Sequence, residues 1–92
     1  MTHERLATAA EFLHEAAELV EDNDTRARLE SQAETLREAS ERDRGLDHGA
    51  LARITHFLDD FSADAAGEEE VQQAIAEAKR EVVAYRETVE GV

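Results

Sequence analysis

Leu6, Ala10, Leu13, Ala17 and Val20 recur at spacings of four, three, four and three, the stripe of one α-helical face. That spacing predicts a first helix over residues 3–21. The run Glu21-Asp22-Asn23-Asp24 ends it, because Asp and Asn side chains compete for backbone groups and favour caps, and Asp24 is expected to cap the next helix. Leu29 falls out of phase with Val20, which predicts two helices instead of one long one. The second, over 25–44, turns Leu29, Ala33, Leu36 and Ala39 inward and pairs Glu38 with Arg42 outside, with Gly45 as a natural residue just past its end. Asp47 then caps a third helix over 48–62 with Leu51, Ile54, Phe57, Leu58 and Phe61 inward, and the run 62–67 reads as a connector. A fourth helix over 68–89 opens on Glu68, Glu69 and Glu70, suited to the positive end of a helix dipole. Its seam is Val71, Ile75, Ala78, Val82, Tyr85 and Val89, and Gly91 comes after it as a stop. No alternation with period two occurs. Short connections favour antiparallel neighbours, so the expected fold is all-α: one domain over 1–92, a small antiparallel bundle of four helices, with dimerisation as a means of completing the core.

Composition qualifies that picture in two ways. A chain of 92 residues lies near the lower limit for a self-sufficient apolar core, and many of the residues that make it 41% hydrophobic are alanines, which bury little area each. Cysteine is absent, which excludes a disulfide framework and thiolate metal sites. The N-terminal stretch is amphipathic and acidic, and no run approaches the roughly eighteen apolar residues of a membrane span. A soluble cytoplasmic protein without membrane attachment is the expectation.

Charge is the stronger signal. Acidic residues number 23 against 10 basic ones, of which only Lys79 is a lysine, for a net charge of -13. At ordinary ionic strength such a chain is repelled by nucleic-acid phosphates. In molar salt the Debye length falls to about 3 Å, so the argument against nucleic acid weakens without vanishing.

The cations are concentrated. Residues 24–44 carry a net charge of only -1, whereas 1–23 carry -5, so arginines of the second helix are expected to meet carboxylates of its neighbours. A sharper reading gathers Arg42, Arg44, His48 and Arg53 into an anion pocket at the start of the third helix, where free N–H groups favour phosphate or carboxylate. A helix-turn-helix reading would present His48, Arg53 and His56, but Asp59 and Asp60 lie on the same helix and the residues that read base edges are missing. Glu11 and His14 have the Glu-x-x-His spacing of carboxylate-bridged di-iron bundles, with Glu18 beyond, yet no second such pair exists, and His14 is expected at the surface. Serines without an activating context and only four glycines give no support to nucleophilic or nucleotide chemistry. Neither an enzyme nor a cofactor is expected.

Apolar surface exceeds what one stripe per helix buries. Phe12 and Leu19, with Ala16 between them, form a second line on the first helix, and Val83 stands beside the seam of the fourth. These four residues are the expected interface of a non-enzymatic interaction module that dimerises or docks a partner helix. The alternative is a small regulator that binds an anion or nucleic acid through the Arg/His cluster.

The stretch LESQAETLREASERDRGLDHGALAR at 29–53 and the ending YRETVEGV at 85–92 resemble small uncharacterised acidic helical proteins of halophilic archaea. The lysine-poor, alanine-rich, acidic balance has the same style. That resemblance implies folding in concentrated salt, where carboxylates keep the surface hydrated, and it implies no activity or site residues.

Overall fold

The computed structural model describes residues 3–42 and 45–88. Four helices succeed one another: α1 Glu4–Leu19, α2 Asn23–Glu41, α3 His48–Asp64 and α4 Glu69–Thr88, with no strand among the described residues. The helical stripes are the core. Leu6, Leu13, Leu29, Leu36, Leu51, Leu58, Phe61, Val71, Ile75 and Val82 are all essentially inaccessible.

The helices are not equivalent. α1 is the spine, packed along both α2 and α4, whereas α3 rests mainly on α4 and barely touches α2. Composition explains the arrangement. Ala9, Ala10, Ala16 and Ala17 are buried on α1, and small side chains at a contact let helix axes approach closely on two sides. α3 instead brings Leu51, Ile54, Leu58 and Phe61, a narrower and bulkier stripe.

Helix ends account for the boundaries. Asp22, and not Asp24, caps α2: its carboxylate accepts both the Thr25 backbone N–H and the Thr25 hydroxyl at 2.8 Å. The competition lies between two aspartates two positions apart, and the threonine three residues after Asp22 supplies a second donor that decides it. Those two bonds hold the Asp22 carboxyl below its ordinary value of 3.8, backbone donor first and hydroxyl second. The end of α1 is closed from outside, because the half-buried Arg26 donates to the carbonyls of Ala17 (3.0 Å) and Val20 (2.7 Å) and to the Asn23 side chain. Asp47 caps α3 by accepting the Ala50 N–H at 2.8 Å. α3 runs on through Ser62–Asp64, into the stretch expected as connector, and the turn is confined to 65–67, where Gly67 takes φ +91°.

Two further expectations are corrected. Phe57, expected inward, is 37% exposed; α3 makes little contact with α2, so among the described residues only the neighbouring Phe61 ring stacks on it. Gly45 does not cap α2, whose capping residue is Arg42. It has φ +65° and sits against the Tyr85 ring and His3, a position that has no room for a side chain. Val89, Gly91 and Arg44 lie outside the described residues.

Candidate functional site

α1 and α4 run antiparallel, so the flank of α1 that carries Arg5, Phe12 and Leu19 faces the flank of α4 that carries Glu81, Glu77 and Glu70. Arg5 closes one end of this seam by an ion pair with Glu81 at 3.2 Å. Beyond it the seam opens into a groove of about 380 Å³, lined by Phe12, Leu19 and Ala74 with Glu15, Glu70, Gln73 and Glu77 at the rim. Phe12 is half-buried against the core, and Leu19 is 40% exposed. Seven residues separate them, about 10.5 Å of helix rise. The groove therefore spans two helical turns with an apolar anchor at each end.

Its charge has one sign. Glu77 accepts a hydrogen bond from Gln73 and pairs with Arg80, a largely exposed side chain outside the groove. Leu19 and Glu70 also border an adjoining hollow with Glu21, Glu68 and Glu69, where Glu68 accepts the Glu21 backbone N–H at 3.2 Å. Among the described residues, no cation lines either depression.

Only part of the expected interface belongs to this groove. Ala16 is fully buried in the core, because it falls on the seam between α1 and its neighbours. Val83 is 39% exposed, but nine residues from Ala74 it points about half a turn away, on the flank of α4 that faces α3. The pattern along the chain marked Leu19 and Val83 as apolar side chains beyond the core but also counted Ala16, which is buried, and left out Phe57, which is exposed; it could not say that α4 has two separate flanks. The rim glutamates were missed altogether, since they stand out only once α1 and α4 are aligned.

The Arg/His cluster expected from the sequence flanks the connection between α2 and α3. Arg42 and Arg53 are exposed and His48 is half-buried, while Arg44 lies outside the described residues. The Asp47 carboxylate already occupies the start of α3 through Ala50, placing a negative charge where an anion would sit. The arginines of α2 serve different ends: Arg28 pairs with Asp64 at 3.8 Å and lies 5.1 Å over the Phe61 ring, whereas Arg26 caps α1 through carbonyls.

His14 is partly exposed between α1 and α2, 4.0 Å from Glu34, and among the described residues no three His, Asp or Glu side chains converge as a metal site would require. His56 lies 3.5 Å from Asp60 on the outer face of α3, and Lys79 holds Asp59 at 2.6 Å. No helix is long and apolar enough to cross a membrane among the described residues.

Residues 1–88 match the model of a family of unknown function, DUF7553. No curated protein and no solved structure matches the chain.

Proposed function

The chain belongs to DUF7553, a family of unknown function, and we propose that it is a non-enzymatic docking module whose α1/α4 groove receives the apolar face of a helix. The observation that carries this reading is the pair Phe12 and Leu19, two large apolar side chains left partly uncovered at the ends of a two-turn groove. Helix-in-groove recognition uses apolar anchors at i, i+3 or i+4, and i+7 of the incoming helix, and a groove about 10.5 Å long between Phe12 and Leu19 accommodates that two-turn repeat. The composition supports a cytoplasmic protein adapted to concentrated salt, as in the halophilic archaea whose small helical proteins it resembles. High salt strengthens burial of such a groove while screening its rim.

The test is a two-dimensional NMR titration with a designed amphipathic helical peptide bearing leucines at i, i+3 and i+7. Shifts confined to residues 12–19 and 70–77, and lost in Leu19→Glu, are the expected result. Shifts scattered over the chain, or equal in wild type and Leu19→Glu, would remove the groove as a docking site. Leu19 is exposed enough for this variant to keep its helicity, which circular dichroism checks.

A further inference from the structure

We infer that the occupant of the α1/α4 groove is a cationic amphipathic helix from a different protein, with lysine or arginine flanking its apolar face, and not a second copy of this chain. The inference rests on the docking reading and goes on to the partner's chemistry.

Two observations support it. The apolar strip between Phe12 and Leu19 is bordered by Glu15, Glu70 and Glu77, and it continues past Leu19 into the hollow that Glu21, Glu68 and Glu69 share. Arg5 is held by Glu81 at the closed end of the seam, and Arg80, which pairs with Glu77 at 3.1 Å, does not line the groove. A helix lying along the groove thus meets carboxylates on its flanks and, toward the α1 C-terminus, at its end.

Symmetry argues against self-association here. A two-fold dimer places the same patch on both sides of the interface, so Glu15, Glu70 and Glu77 of one copy would oppose the same three of the other. Like charges set face to face at contact distance reject a partner even where molar salt screens beyond about 3 Å. A cationic helix turns the same rim into charge-assisted contacts.

The experiment compares two designed peptides of about sixteen residues, some four helical turns, identical in their apolar face but flanked by lysine in one and glutamine in the other. Binding is read by fluorescence anisotropy at low salt and in molar KCl. The triple variant Glu15→Gln, Glu70→Gln and Glu77→Gln is compared with a control, Glu30→Gln, Glu38→Gln and Glu87→Gln, whose sites are exposed elsewhere. The lysine peptide is expected to bind more tightly than the glutamine one at low salt and to lose about tenfold in affinity with the rim variant, with little loss in the control. An equal loss in both variants would mean that the acidic surface as a whole attracts the peptide, and it overturns the inference. Equal binding of the two peptides also overturns it but leaves groove docking standing. So does a wild-type dimer by light scattering that Leu19→Glu dissociates. If neither peptide binds and the chain is monomeric, the docking reading itself fails.

Discussion

The Tyr85 hydroxyl, near the end of α4, accepts the backbone N–H of Leu46 in the α2–α3 connection at 3.3 Å. Edge-on to the same ring lies His3, with centroids 5.4 Å apart, and the His3 backbone N–H donates to the Ser40 carbonyl at 2.8 Å. One tyrosine therefore ties together the start of α1, the end of α2, the connection and α4. Gly45 fits beneath it only because it lacks a Cβ: a side-chain carbon there would overlap the Tyr85 oxygen, and the backbone is left-handed at φ +65°. Gly45→Ala should cost about 1–3 kcal/mol. In a Tyr85→Phe background the overlap is relieved, so a double-mutant cycle in urea should show a smaller penalty for the glycine change. Equal penalties would confine the effect to the backbone.

Arg26 offers a second test. Its guanidinium bridges Ala17 and Val20 carbonyls that α1 cannot satisfy by itself, and its charge lies at the negative end of the α1 dipole. Arg26→Ala should destabilise by about 1–3 kcal/mol. Arg26→Lys keeps the charge but not the planar fork, and should fall between the two. A lysine variant as stable as wild type would show that charge alone matters.

Phe57 and Phe61 separate what the sequence could tell from what it could not. Both fall within the apolar period of α3, and the rings stack at 6.5 Å, yet Phe61 is 1% exposed and Phe57 37%. Phe61→Ala should cost about 3–5 kcal/mol, whereas Phe57→Ala should cost about 1 kcal/mol or less, measured by denaturant unfolding. The four helices and their inward stripes were legible because period and cap chemistry are local. How little α2 and α3 touch is not local, and neither is the pairing of α1 with α4 that aligns Glu15, Glu70 and Glu77. The Phe12 and Leu19 flank was therefore visible in sequence, but its acidic rim and its separation from Val83 were not. Asp22 shows the same limit on a smaller scale, since both Asp22 and Asp24 are good caps and Thr25 chooses between them.

Asp22 also sets a pH dependence. The Thr25 donors favour the ionised carboxylate, so its folded-state pKa lies below the ordinary 3.8. A depressed acid stabilises the fold above its unfolded pKa and loses that contribution as pH falls through the folded value. Asp22→Asn keeps an acceptor oxygen but not the charge. The stability difference between wild type and Asp22→Asn should thus be constant near neutrality and shrink below about pH 4. A difference that persists at pH 2 would assign the cap to geometry alone.

The placement of charge on α1 sets the salt response. Glu15 and Glu18, both exposed, are three residues apart on one surface, where like charges repel, and Glu18 also stands in the last turn, against the negative end of the helix dipole. With a net charge of -13, the whole compact state is strained in the same sense and relieved by counterions. The thermal midpoint should therefore rise from dilute buffer to molar KCl. Glu18→Lys removes two of these repulsions and should stabilise the protein by about 0.3–1 kcal/mol at low salt. In molar KCl, with screening over about 3 Å, that gain should nearly vanish. A gain that survives high salt would have to come from packing of the lysine stem, and a midpoint that does not move with KCl would mean that the carboxylates are already neutralised within the fold.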